Sequence, residues 1–238
     1  MPDSLQTKRV LVIGGSSGIG LATAAAAAEA GATVTIASRS QAKLDAASAH
    51  LGCRVSKAVL DTGDAAAVAR YFADADPWDH VAVSAAQTPS GPVRALDLED
   101  VQRAMDSKFW GSYRVARVAR IHDGGSLTFV SGFLSARPSA TAVLQGAINA
   151  ALEALARGLV LELAPVRVNA VSPGLIDTPL WSGMPTDKRD AMFAREALRL
   201  PARRIGQADD IARAVLFVAS NPFATGSTVR VDGGGAIA

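Results

Sequence analysis

One stretch near the start, Val10-Leu-Val-Ile-Gly14-Gly-Ser-Ser-Gly18-Ile-Gly20, limits what the rest of the chain can become. Leu11 to Ile13 are apolar and β-prone, and Gly14, Gly18 and Gly20 follow at G-x-x-x-G-x-G spacing. Leu21 to Ala30 is almost all alanine, a helix that Gly31 closes. A phosphate reaches backbone N–H groups only where no Cβ stands in the way, and a helix N-terminus adds the positive end of its dipole. Thr33 to Ser38 reads as a second strand. The whole is the opening βαβ unit of a dinucleotide fold, with Gly14, Ser16, Ser17, Gly18, Ile19 and Gly20 around the phosphates.

The alternation continues. Helices are expected over Gln41–Leu51, with Ser40 as N-cap, and over Gly63–Asp74, Leu98–His122, Ala140–Ala164 and Asp209–Ser220. Strands are expected over Arg54–Leu60, Trp78–Ser84, Ser126–Ser131, Arg167–Val171 and Thr228–Val231. The stretch from Pro173 to Arg204 reads as irregular with short helices. Strictly alternating elements require right-handed crossovers and a parallel sheet, so the fold class is α/β, doubly wound, with no linker or second domain in 1–238.

Lys plus Arg number 24 against 22 for Asp plus Glu; a net charge of +2 gives no argument for nucleic acid or an anionic membrane. The apolar run at Val10 is broken by glycine after four residues, which argues against a membrane span or a signal peptide. Cys53, the only cysteine, cannot form an internal disulfide and fits a reducing cytoplasm. The three histidines are scattered, so no metal site is expected.

Several further motifs, in order, carry a resemblance: Arg167-Val-Asn-Ala-Val-Ser-Pro-Gly174, Asp177-Thr178-Pro179, Gly206 to Ile211, and Val231-Asp-Gly-Gly234. With the glycine loop they resemble the short-chain dehydrogenase/reductase family almost end to end. The resemblance implies a single-domain Rossmann fold, a seven-stranded sheet of order 3-2-1-4-5-6-7, and a substrate lid over about 179–204. One departure is Ile13, where the family usually has Thr or Ser before the first glycine.

The end of the second strand selects the cofactor. An acid there would bind a ribose hydroxyl and repel a 2′-phosphate; this chain has Ser38-Arg39-Ser40. A guanidinium flanked by hydroxyls suits a phosphate, so NADP(H) is expected. The other reading of Arg39 is a solvated surface charge. By resemblance Asp61 accepts from the adenine amino group, and the Ser84-Ala85-Ala86 loop passes the adenine ribose. Pro173 stops its strand, Gly174 admits the nicotinamide, and the Ile176 backbone and Thr178 hydroxyl hold carboxamide and pyrophosphate.

The family usually reduces carbonyls with a Tyr-x-x-x-Lys pair on the helix after the fifth strand. Here Ala150-Ala-Leu-Glu-Ala-Leu-Ala-Arg157 resembles the run after that lysine, which puts Asn149 at the lysine position and Gln145 at the tyrosine position. No tyrosine follows Tyr113. The usual serine falls at Gly132, with Ser131 before it as the best remaining hydroxyl, and the usual helix asparagine is Lys108. Two readings of Lys108 stand. It replaces the missing lysine, with Asn149 and Gln145 as hydrogen-bonding neighbours, and anchors the ribose, stabilises an oxyanion or donates a proton. Or it is a surface lysine in water.

Trp181, Met184, Met192 and Phe193 in the lid, with Trp110 and Phe133, suggest an apolar pocket for a small-molecule substrate. The helix Ala140–Ala164 carries only Glu153, Arg157 and Glu162 as charges, which implies burial on more than one face and a homo-oligomer, tetramer or dimer. Glu153 and Arg157 are expected to pair along its exposed edge. The function expected is an NADP(H)-dependent reductase with an altered catalytic centre; the alternative is a catalytically silent NADP(H)-binding sensor.

Overall fold

The computed structural model describes residues 5–52 and 55–238. Strand β1 (Arg9–Ile13) leads into helix α1 (Gly18–Glu29), β2 (Thr33–Ser38), α2 (Gln41–Leu51), β3 (Val55–Val59), α3 (Ala65–Asp74) and β4 (Trp78–Val83). Helix α4 (Leu98–Met105) runs through a π-helical turn, Asp106–Trp110, into α5 (Gly111–Val118). There follow β5 (Ile121–Val130), α6 (Val143–Leu163), β6 (Arg167–Pro173), β7 (Ile176–Asp177), α7 (Thr186–Arg199), β8 (Gly206–Gln207), α8 (Ala208–Ser220) and β9 (Thr228–Val231).

Seven strands form one parallel sheet in the order β3-β2-β1-β4-β5-β6-β9, the expected order with β9 as the seventh strand; β7 and β8 make a separate parallel pair. β1 lies between β2 and β4, so the chain reverses direction across the sheet there and opens a crevice at the strand ends. One face packs Leu11, Phe72, Phe129 and Val168 against α3, α5 and α6. The other packs Val10, Val12, Ala24, Ala27 and Ile36 around α1 and α2. The alanines of α1 face α8 closely, which is why that helix needs so little side chain. Arg167 is buried without an acidic partner among the described residues and donates to the carbonyls of Val218, Ala219 and Ala224. Its charge meets the C-terminal end of α8, where unpaired carbonyls favour a cation.

Three expected elements differ. The helix expected to reach His122 ends at Val118, and β5 begins at Ile121, five residues before the expected start. Gly124, at φ +76°, and Gly125 bend β5, and its pairing with β4 shifts register between Trp78 and His80. Polar residues ahead of a glycine pair hide the strand pattern. The irregular stretch after Pro173 contains a full helix, α7, with no side chain fully buried, so its apolar stripe is weak. Helix α6 buries Ile148, Asn149, Leu152, Ala156 and Leu159 along one face only, while Leu161 is 87% exposed. The strand expected from Arg54 is described from Val55, and the reading of Cys53 lies outside the described residues.

Candidate active site

Because the strands are parallel, their C-terminal ends share one edge, and the sequence-marked residues gather there. Gly14 follows β1, Arg39 follows β2, Asp61 follows β3, Ser84 follows β4, Ser131 follows β5, and Gly174 follows β6. Gly14, at φ +86°, lies so close to the loop after β4 that a Cβ on it would stand 2.6 Å from Ala85 N. The chain of Ser84 is tied back by its N–H to Ile13 O at 2.8 Å, which leaves Ala86 exposed beyond it. Thr178 flanks the same loop, 3.4 Å from where a Gly18 Cβ would be. Ser17 is the N-cap of α1, but its side chain makes no capping bond, and the first turn holds no acid. With Ser16 beside it, the first turn therefore offers free N–H groups and a dipole end to an anion. Ile19 faces inward, against the cluster of Ile176 and Val215.

Arg39 is exposed, and its one side-chain hydrogen bond among the described residues is a long one to Gln87 Oε1 at 3.4 Å. Ser38 Oγ donates to Ser40 O, and Ser40 Oγ accepts from Lys43 N as the cap of α2. Asp61 Oδ1 accepts from Gly63 N at 2.9 Å, so one oxygen closes a turn. Gly174 is glycine for a reason the sequence did not suggest: a Cβ there would stand 2.6 Å from Asp232 Cα, so the residue admits the chain after β9. Pro173 is buried at the end of β6, and Ile176 O accepts from Trp181 Nε1 at 2.9 Å.

A second cluster forms where the π-helical turn faces the exit of β5 and the start of α6. Gly111 lets this helix approach β3's end, since a Cβ would meet Thr62 Oγ1 at 2.7 Å. Lys108 stands in the middle of the wide turn, a geometry that re-aims side chains and is frequent at functional sites. Its Nζ donates to Asn149 Oδ1 at 2.6 Å and to Ser131 O at 2.8 Å. Lys108 does not point into water. Burial lowers its ammonium from 10.5 to about 8, and the charge of Glu153 acts in the opposite direction.

Asn149 is buried, and since an ammonium can face only the amide oxygen, Lys108 fixes which way the amide points. Gly132 makes room for it: a Cβ at 132 would stand 2.7 Å from Asn149 Nδ2. Gln145, expected as a hydrogen-bonding neighbour of Lys108, makes no hydrogen bond to it. It donates instead to Thr88 O and Oγ1, both at 3.3 Å, and to Ser90 Oγ at 3.0 Å, because it lies one turn nearer the loop after β4. Glu153, expected on the exposed edge with Arg157, turns inward and accepts from Ser131 Oγ at 2.9 Å and Ser135 Oγ at 2.7 Å. Sequence reasoning missed this role, although its spacing of four from Asn149 placed it on the same helical face.

Beside this cluster a cavity of about 200 Å³ is lined by Phe133, Leu175, Met192 and Leu200, with Arg195, Glu196 and Arg199 at its rim. The charged rim departs from the apolar expectation; Glu196 pairs with both arginines. Trp181 and Phe193 instead pack edge to face, with ring centres 6.1 Å apart, and Trp110 joins Phe109 and Tyr113 in an aromatic group on the outer helix face. Among the described residues, no group of three His, Cys, Asp or Glu side chains gathers as metal ligands, and no helix is long and apolar enough to cross a membrane.

Comparison with known proteins gives the family. A family profile described as enoyl-(acyl carrier protein) reductase matches residues 14–235. The short-chain dehydrogenase/reductase ucsE of Acremonium sp is 33% identical, covering 99% of this chain and 98% of its own. A small-chain dehydrogenase solved in complex with NADPH is 37% identical with a TM-score of 0.85, covering 98% of this chain and all of that one. An NADPH-bound short chain oxidoreductase from Pseudomonas aeruginosa PAO1, described as containing an atypical catalytic center, is 28% identical with a TM-score of 0.86, covering 95% and 96% of the two chains. The chain belongs to the short-chain dehydrogenase/reductase family of oxidoreductases.

Proposed function

We propose that this protein is an NADP(H)-dependent oxidoreductase that reduces a carbonyl-like small molecule, with Lys108 at the centre of its chemistry. The observation that carries this reading is the position of the Lys108 ammonium. It is desolvated, held by Ser131 O and Asn149 Oδ1, and set on the strand-end edge that also bears the glycine loop. Two of its three hydrogens are spent on those acceptors, which leaves one for a third partner.

The residues present fit the cofactor. Uncapped N–H groups at α1 and the small residues before it suit a pyrophosphate, Thr178 flanks them, and Arg39 forms no ion pair among the described residues that would compete with a 2′-phosphate. Bound there, the cofactor supplies a hydride to the acceptor carbon. Lys108 Nζ donates a proton to the acceptor oxygen as negative charge develops on it. Asn149 and the Ser131 carbonyl hold the ammonium in place, and neither Asn149 Nδ2 hydrogen is taken by an acceptor among the described residues, so the amide offers a second donor to a hydroxyl or oxyanion. The segment 179–204 acts as a lid, and Phe133 and Met192 meet the apolar part of the substrate.

The relative solved with NADPH at 37% identity supports a nicotinamide cofactor, and the NADPH-bound oxidoreductase described as containing an atypical catalytic center supports pairing that cofactor with an altered centre. The missing tyrosine favours one other reading, a silent NADP(H)-binding sensor. NADPH deuterated at its transferable position, incubated with the protein and metabolite extracts, separates the two. Deuterium in a product supports the reductase; tight binding without transfer across several extracts supports the sensor. We also place the protein in the cytoplasm, on its single cysteine, and as a homo-oligomer, dimer or tetramer, on the uncovered Leu161 and the outer aromatic group at Trp110.

A further inference from the structure

Glu153 makes none of the ion pairs formed among the described residues, and one oxygen of its carboxylate carries both of its hydrogen bonds. Oε1 accepts from Ser131 Oγ at 2.9 Å and from Ser135 Oγ at 2.7 Å. Both hydroxyls belong to the segment that leaves β5, and the carbonyl of that same Ser131 accepts from Lys108 Nζ at 2.8 Å. Asn149, the other acceptor of the ammonium, stands one turn before Glu153 on α6. The contacts close into a loop. Lys108 holds the β5 exit and α6, and Glu153 holds the β5 exit to α6 from the other side.

We propose that Glu153 is a positioning residue for the Lys108 centre: it fixes Ser131 through the serine hydroxyl, and its negative charge keeps the enclosed ammonium protonated. This rests on the reading of Lys108 as proton donor. Among the described residues, Glu153 is the charge left to act on the Lys108 ammonium. On the lysine's own helix, Asp106 is turned to Arg114. On the β5 exit, Ser131 and Ser135 are neutral, and Arg137 donates away to Gly235 O. On α6, Asn149 is neutral and Arg157 is exposed one turn further on. Burial disfavours the charged lysine, and Glu153 is the charge that opposes it.

The chain has five lysines, few enough to follow each one in the NADPH-bound protein by ¹³C-lysine NMR, with the Lys108 signal assigned by its loss in Lys108→Met. Glu153→Gln keeps size and hydrogen bonding but removes the charge. Its expected effect is a Lys108 titration midpoint lowered by about one pH unit or more. The alkaline limb of NADPH-dependent reduction moves down by the same amount, and Glu153→Asp restores most of both. A purely structural glutamate would lower thermal stability and leave midpoint and limb in place. An unchanged midpoint in Glu153→Gln overturns the proposal; Glu153→Met, also neutral, is read the same way if the glutamine variant does not fold. Full turnover in Lys108→Met would instead overturn the proton-donor reading, and the NMR midpoint would still decide whether Glu153 holds the ammonium charged.

Discussion

The glycine loop and the Lys108 cluster lie on the same edge of one sheet, yet they are built from different parts of the chain. The loop works through backbone. In the proposed function its N–H groups and its lack of Cβ atoms would receive the phosphates, which restricts the residues there to glycine and small polar side chains. The Lys108 cluster works through side chains converging from two helices and a strand exit. A cation can enter that space from either helix. The comparison teaches that a site specified by backbone geometry resists rewriting, whereas one specified by side chains can move its charge and keep its place.

The largest expected effect tests the side-chain half. Lys108→Met should lower turnover by about 10²–10⁴-fold, measured by label transfer from deuterated NADPH, while NADPH affinity changes far less. The wild-type rate should fall as pH rises through about 8, because burial has brought the ammonium's deprotonation down to that range and only the protonated form can donate. A pH-independent rate up to pH 10 would break the comparison at this point.

The backbone half is tested by Gly14→Ala. It forces a side chain into the left-handed region and against Ala85, so NADPH affinity should fall at least tenfold and stability by about 2 kcal/mol or more. Isothermal titration and chemical denaturation read the two losses; a variant that binds and folds normally would show that the loop is not what admits the phosphate. Arg39→Ala should weaken NADPH by about 10–100-fold and leave NADH untouched, the loss of one charge-assisted contact. Unchanged NADPH affinity would return Arg39 to the solvent, and equal losses for both cofactors would break its link to the 2′-phosphate. The smallest effect expected is Gly132→Ser, which crowds Asn149 and should cost about tenfold in turnover and about 1–3 kcal/mol in stability, read by kinetics and thermal melting.

The two regions also differ in how far the sequence revealed them. The strands around the crevice were legible because alternating apolar runs and glycine turns carry their own signal, and Ser40 was readable as a cap because its hydroxyl acts locally. The position of Lys108 was legible as a substitution in a known pattern. What was hidden needed three dimensions. Gln145 and Asn149 share a face of α6, but only the loop after β4 decides that Gln145 turns to Thr88 and Ser90. Glu153 looked like half of an i,i+4 pair, and the two serines that draw it inward are 18 and 22 positions away. Gly174 was read as space for a ligand, and its close approach to Asp232 was not visible in the sequence. The lid helix was read only as short helices in an irregular stretch, because charged residues crowd its sequence and none of its residues is buried.

The close fit of Gly132 against Asn149 has a consequence for the order in which such a centre can change. A serine at 132 has no room while the amide is in place, and a lysine at 149 would bring a second ammonium beside the first. Each step alone therefore damages the protein, through crowding or like-charge repulsion. Positions 108, 132 and 149 form a lock whose parts turn together, so any lineage or engineer converting this centre to the family's usual arrangement must cross a valley of weaker intermediates rather than climb one substitution at a time.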